Sequence, residues 1–171
     1  MGQYHKIINY TKKECLNPHK FLDGLKQLEF GCSSCGTMTA LSYLLSYKES
    51  RGGGDFREGE YKGKWKGDNI GIVGDYAEEK DFEYKEGDNI HSDVYYYEDE
   101  NCKDVSVDVL IELLKETYIK ETYMNSFSYY KSFYSKEELY RIEIALGLIT
   151  ESLTEGNNKK PKRDSKGRFC K

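Results

Sequence analysis

Residues 51–76 read RGGGDFREGEYKGKWKGDNIGIVGDY, a stretch that holds eight of the chain's 16 glycines and its only tryptophan. Glycine loses more backbone entropy on folding than any other residue, so this density needs a reason, such as positive φ or close approach of the backbone to a ligand. Backbone N–H groups, interleaved cations and an indole face would together form a cradle for a phosphorylated or aromatic ligand. The stretch therefore predicts either a binding site, whose ligand it does not name, or a mobile surface loop.

The segments around this stretch predict an α+β fold, with a small sheet flanked by helices. Residues 69–74 alternate as a strand, and residues 3–10 predict a first strand. Thr37 is suited to begin a helix over residues 37–49, with a weaker helix between Asn17-Pro18 and Leu28 before it. Residues 94–97 are a further strand candidate.

The C-terminal part has helical patterns. Ser106 is suited to cap one helix, and the capping box that starts at Ser135 begins another. The stripe of that second helix, from Leu139 to Leu153, would pack on the body or form a homodimer with a copy of itself. We expect the aromatic run between the two helices to be a linker that packs its rings on the body. The expected organisation is a glycine-rich α+β domain over residues 1–120, a helical extension over 121–156 and a flexible basic tail over 157–171.

The charge is unevenly distributed. The chain of 171 residues carries −4 overall, while residues 159–171 carry +6, which leaves −10 for the rest. A duplex-DNA reader has a basic face, so nucleic acid is not an expected partner except through the tail. Mean hydropathy is −0.81, and no apolar run reaches the length of about 20 residues that spans a bilayer. Without a secretory h-region or a myristoylation pattern, we expect a cytoplasmic protein with reduced cysteines.

Known phosphate-binding motifs are missing. The chain contains neither a Walker A string nor a dinucleotide fingerprint that opens a helix. Thr37 and Thr39, at the start of the expected helix 37–49, would instead offer hydroxyls and free N–H groups to an anion, although ordinary capping explains the same residues.

Four soft ligands occur at zinc-like spacing, namely Cys15, His19, Cys32 and Cys35. Zinc is therefore a candidate cofactor, although none is required, and two ordinary thiols explain the CxxC pair equally simply. For catalysis, His5, Lys6, Asp68, Asp75 and Glu78 would form an acid–base or magnesium cluster if the first strand lies beside strand 69–74.

Five strings, in order, resemble a family of small uncharacterised proteins found in bacteria and their phages and plasmids. They are MGQYHK at the start, GLKxLEF at 24–30, GTMTAL at 36–41, RGGGDF at 51–56 and WxGDxIxIVGDYAE at 65–78. The resemblance covers about the first 120 residues, and Leu22 and Lys66 depart from it. It implies no activity, cofactor or catalytic residue. It implies a mobile-element setting, in which small proteins often neutralise host systems.

The leading hypothesis is a non-enzymatic protein that binds a phosphorylated, nucleotide-like small molecule. In a phage it would act in the host cytoplasm and sequester an immune signal. One alternative is a hydrolase that acts on a nucleotide or phosphoester through His5, Asp68 and Asp75. The other is an interaction module that inhibits a host protein. The candidate ligand-binding residues are His5, Thr37, Thr39, Arg51, Gly52, Gly53, Gly54, Asp55, Lys64, Trp65, Lys66, Asp75 and Tyr76.

Overall fold

The computed structural model describes residues 3–76 and 102–150, and it shows the α+β fold that the sequence predicts. A mixed sheet has the strand order β3-β1-β2-β4. The strands are β1 (His5–Asn9), β2 (Glu14–Leu16), β3 (Ile70–Gly74) and β4 (Lys103–Asp104). The α-helices in these ranges are α1 (Gln27–Gly31), α2 (Thr37–Leu45), α3 (Ser106–Leu113), α4 (Thr117–Tyr130) and α5 (Lys136–Leu146).

The sheet is built around β1, which pairs antiparallel with β3 on one side and with β2 on the other. The sequence predicted β1 and β3 as strands, and Ile7 lies opposite Ile72 in their shared register. Both faces of β1 are covered, because Ile7 packs into the main core while Ile8 packs with Cys15 and Val73 in a smaller cluster. The short β2 and its parallel partner β4 were not predicted.

The segment after β2 differs from the helix expected there. Asn17 caps a 3-10 helix over Pro18–Phe21, accepting a hydrogen bond from the N–H of His19. The expected continuation to Leu28 is wrong, because the 3-10 helix ends at Leu22, which adopts a left-handed φ of 61°. Leu28 is an exposed residue of the separate helix α1.

The C-terminal helices are part of the main core. Ser135 and Glu138 form the predicted capping box, and the stripe on α5 buries Ile142 and Leu146. The run expected as a linker is the helix α4, which buries Tyr123 and Phe127. The expected boundary after residue 120 falls inside α4, and side chains from both sides of it join one core cluster.

Several expectations fall on parts of the chain outside the described residues, namely Glu78, the strand at 94–97, Leu153 and the basic tail. In the described ranges, no helix combines the length and the apolar character needed to cross a bilayer.

Candidate functional site

Two carboxylates hold the segment that follows the RGGGD loop, namely Glu112 on α3 and Glu116, which directly precedes α4. Glu112 accepts hydrogen bonds from the backbone N–H groups of Glu60 and Tyr61 over 2.8 and 2.9 Å, and from the hydroxyl of Tyr43 over 2.8 Å. Glu116 accepts from the N–H of Arg57 over 2.6 Å. The hydrogen bonds of these two carboxylates fix residues 57–61 beside the C-terminal end of α3 as a strap.

The strap explains one glycine of the region. A Cβ atom on Gly59 would lie 2.5 Å from Oε2 of Glu112 and would also overlap the hydroxyl of Tyr43. Burial, followed by the hydrogen bond to Glu112, raises the pKa of Tyr43 well above its usual value, so this hydroxyl remains a donor. A side chain at position 59 would therefore displace the ends of Tyr43 and Glu112, which hold the strap on α3.

The three glycines of the RGGGD loop are explained by conformation. Gly52, Gly53 and Gly54 have φ angles of 88°, 63° and 102°, and open space surrounds the position of a Cβ at each. Positive φ favours glycine because side chains are strained there. The loop is closed by the N–H of Arg51, which donates to Asp55 over 2.8 Å, and by the hydroxyl of Ser50, which donates to the carbonyl of Phe56.

A cavity of about 510 Å³ lies beside this loop. Its wall combines two aromatic rings, Tyr47 and Phe56, with charged side chains of both signs. The lining residues are Ser46, Tyr47, Glu49, Arg51, Gly54, Asp55, Phe56 and Lys62. Lys66 is adjacent, with its Nζ 3.6 Å from the centre of the Tyr47 ring. The cavity therefore brings together Arg51, Gly54 and Asp55 of the predicted site, with Lys66 beside it.

Lys62 is a buried lysine in the wall of this cavity. Only 3% of the residue is exposed, and its Nζ donates to Oγ of Ser50 over 2.7 Å and to the carbonyl of Phe56 over 2.6 Å. Both acceptors are neutral, and no carboxylate of residues 3–76 or 102–150 forms an ion pair with it. Buried charges in proteins are normally paired, whereas among the described residues Lys62 contacts only neutral acceptors.

Sequence reasoning missed Lys62 as a site residue. It is the first of three lysines at every second position, and the site predicted from the sequence contains only the other two, Lys64 and Lys66. The spacing contains no sign that Lys62 alone is buried. The burial of Lys62 depends on its contacts with Ser50 and Phe56, which the conformation of the RGGGD loop brings next to its ammonium group.

Trp65 does not present the indole face that the predicted ligand cradle needs. It is fully buried, and its indole N–H donates to the carboxylate of Glu14 over 2.6 Å. Lys64 forms an ion pair with the same carboxylate over 3.0 Å and lies over the ring of Tyr61. Trp65 and Lys64 are therefore structural residues, because both are committed to Glu14.

The start of α2 is already occupied by a carboxylate of the chain. Asp23 accepts hydrogen bonds from the N–H and the hydroxyl of Thr37, over 2.7 and 2.6 Å. Thr37 is buried, so it cannot serve as the predicted anion site. Thr39 is half-buried on α2 and does not line the cavity beside the loop.

The proposed catalytic residues are divided between two ends of the sheet. His5 pairs with Gly74 near Asp75, whereas Asp68 contacts Asn9 and Lys12 at the other end of β1. The four steps from His5 to Asn9 span about 13 Å of strand. The expected hydrolase arrangement, which needs His5 close to Asp68, is therefore wrong for this pair, because the two residues lie at opposite ends of β1. Asp75 accepts a hydrogen bond from the N–H of Tyr4 over 2.9 Å, next to the exposed Tyr76.

The four zinc candidates have separate environments. Cys15 is buried in the small cluster beside Cys102, and its pKa is raised by the hydrogen bond with Cys102 and by burial. His19 stacks on Phe133, Cys32 is exposed and Cys35 belongs to the main core. Within the described ranges no group of three or more His, Cys, Asp or Glu side chains is arranged to hold a metal ion. The structure therefore does not bring these four residues together in one site, and zinc stays a prediction.

Comparison of the chain with protein-family models, with curated proteins and with solved structures gave no match. The cavity beside the RGGGD loop and the buried Lys62 are therefore the features that bear on function.

Proposed function

We propose that this protein binds a phosphorylated, nucleotide-like small molecule, without changing it chemically, in the cavity beside the RGGGD loop. The observation that carries the proposal is the buried ammonium of Lys62, which contacts only neutral acceptors among the described residues. A phosphate oxygen would accept a hydrogen bond from the remaining N–H of the Lys62 ammonium, and the negative charge of the phosphate would compensate the positive charge of Lys62.

The other residues of the cavity suit the rest of such a ligand. Arg51 provides a second cation for the phosphate, and Tyr47 and Phe56 provide rings against which a base would stack. Glu49 would accept from a ribose hydroxyl or an exocyclic amine. Glu49 and Asp55 also limit the positive charge of the cavity, which favours one phosphate group over a long polyphosphate chain.

The loop would adjust to the ligand. Gly52, Gly53 and Gly54 are exposed and have free space around them, so their N–H groups can move toward a phosphate without displacing side chains. Asp55 holds the first N–H of the loop, which keeps its two ends together during such a movement.

The proposal is non-enzymatic. Among the described residues, the lining of the cavity contains two carboxylates, one arginine and one lysine, and it contains no histidine or cysteine that would form a usual nucleophile–base pair. In the mobile-element setting that the family resemblance implies, retention of an unchanged nucleotide would sequester a host immune signal.

The experiment is retention followed by chemical identification. The full chain is incubated with a mixture of nucleoside monophosphates and cyclic dinucleotides, recovered by filtration and denatured, and the released molecules are identified by mass spectrometry. We expect a stoichiometric nucleotide with unchanged mass from the wild type and none from Lys62→Met. A hydrolysed product would favour the hydrolase alternative, and no retained nucleotide would contradict the proposal.

A further inference from the structure

A second cavity, of about 390 Å³, lies between α4 and the two segments that precede α2. It shares no lining residue with the cavity beside the RGGGD loop. Side chains with oxygen atoms dominate its wall, including Asp23 and Ser34 from the first half of the chain and Thr122 and Ser126 from α4. None of its lining residues is a lysine, an arginine or a histidine.

Tyr123 is the first unusual residue of this cavity. It is 1% exposed, and its hydroxyl has no hydrogen-bond partner among the described residues. Tyr134, Asp23 and Cys35 are close enough to act on it electrostatically, and the last two line the same cavity. Buried hydroxyls in native proteins are normally paired, so an orphan of this kind calls for a partner that the cavity would hold.

Asp23 is the second unusual residue. The hydroxyls of Ser33 and Thr37 and the N–H of Thr37 all donate to its Oδ2, which leaves Oδ1 outside these three bonds. No lysine or arginine in the described ranges forms an ion pair with it. Burial raises its pKa, against the lowering effect of the hydrogen bonds from Thr37 and Ser33.

The surrounding rings point to the kind of ligand. Phe21, Tyr123 and Tyr130 line the cavity together with Asp23. A carboxylate among aromatic rings attracts organic cations, because the ring faces and the carboxylate are both negative. An ammonium group has three donors and no acceptor, so it complements a wall of carboxylate and hydroxyl oxygens. A phosphate would be repelled by Asp23 and would meet no cationic side chain in the lining.

We infer that this cavity is a second binding site, which takes a small primary ammonium group between the carboxylate of Asp23 and the hydroxyl of Tyr123. The group would belong either to a free amine or to a lysine side chain of another protein. The two sources share the chemistry, and the experiment separates them.

The test is titration calorimetry on the full chain with ethylammonium, with Nα-acetyl-lysine amide and with neutral ethanol at matched ionic strength. We expect saturable binding of one or both ammonium compounds and none of ethanol. The stronger of the two ammonium compounds identifies the source. Tyr123→Phe should weaken binding by roughly tenfold or more, since it removes one hydrogen bond to a charged group.

Tyr129→Phe is the matched control, because Tyr129 lies on the same helix and is 83% exposed. It should leave the affinity unchanged, and so should Lys62→Met, which alters only the other cavity. Tyr123→Phe removes a hydroxyl without a partner, so circular dichroism should show an intact fold. Equal binding of ethanol, no binding of either ammonium compound, or equal affinity in Tyr123→Phe would overturn the inference.

Discussion

Trp65 donates its indole N–H to the carboxylate of Glu14 over 2.6 Å inside the core. The same carboxylate accepts from Lys64 over 3.0 Å, so one acid of β2 fixes two residues of the glycine-rich segment. This contact ties the segment to the sheet and places the only tryptophan where a ligand does not reach it. The segment therefore divides into a structural part around Trp65 and the RGGGD loop, where we propose that the ligand binds.

Glu14→Ala tests this division. It leaves the buried indole N–H and the ammonium of Lys64 without their acceptor, so we expect the free energy of unfolding to fall by about 2–4 kcal/mol. Urea denaturation followed by circular dichroism measures the change. Glu58→Ala, at an exposed position in the same segment, should change it by less than about 0.5 kcal/mol. Equal losses in the two variants would contradict the structural role of Glu14.

Gly59→Ala should destabilise the strap on α3. The added methyl group would overlap the hydroxyl of Tyr43 and the carboxylate of Glu112, so we expect a loss of about 1–3 kcal/mol. Gly31→Ala is the control, because a Cβ there meets no atom within 4 Å. Thermal denaturation should show a lower Tm for Gly59→Ala and an unchanged or slightly higher Tm for Gly31→Ala. A tolerated Gly59→Ala would mean that the strap does not lie this close to α3.

The ion pair between Lys20 and Glu138 predicts a dependence of stability on pH. Burial acts to raise the pKa of Glu138, but the hydrogen bonds from Lys20 and Ser135 outweigh it, so the pKa is lowered. A carboxyl group with a lowered pKa in the folded state stabilises the fold above its unfolded-state pKa, and this contribution is lost as the pH falls through the folded-state pKa. Glu138→Gln should therefore cost about 1 kcal/mol at neutral pH and almost nothing in strong acid.

Urea denaturation across this pH range measures the effect, with Glu137→Gln as the control. Glu137 lies in the same helical turn but is exposed. A constant difference between Glu138→Gln and the wild type at every pH would show that the charge of Glu138 does not contribute.

Thiol reactivity tests the separate environments of the cysteines. Cys32 is exposed, whereas Cys15 and Cys35 are buried. In the native protein Cys32 should react with iodoacetamide much faster than the two buried thiols, and a chelator should leave Tm unchanged. Mass spectrometry of tryptic peptides identifies the modified residues. If Cys32 were protected from iodoacetamide and a chelator removed this protection, the result would support the zinc hypothesis.

The sequence was sufficient for the fold class and for the elements with strong local signals. β1, β3 and the capping box at Ser135 follow from alternation and from side-chain capping, which depend on neighbouring residues. β2 is only three residues long and α4 is rich in aromatic residues, so their local patterns are weak. Tertiary packing decides both.

The candidate site was predicted only in part, for the same reason. Arg51, the three glycines and Asp55 form one continuous loop, so local sequence identifies them. Burial of Lys62 and burial of Trp65 are properties of the folded chain, and alternating lysines around a tryptophan fit either outcome. The partner of Thr37 is Asp23, fourteen residues away. Spacing alone gave no indication of that contact.

We propose that the ammonium of Lys62 binds the phosphate of a nucleotide-like ligand. The most direct measurement is titration calorimetry of the wild type, Lys62→Met and Lys48→Met with nucleoside 5′-monophosphates and with the corresponding nucleosides. Lys48 is exposed and outside the cavity lining, so it provides the matched loss of charge.

We predict that a monophosphate binds more tightly than its nucleoside, that Lys62→Met weakens it by roughly tenfold or more, and that Lys48→Met does not. Equal affinities for monophosphate and nucleoside, or an unchanged affinity in Lys62→Met, would contradict the account.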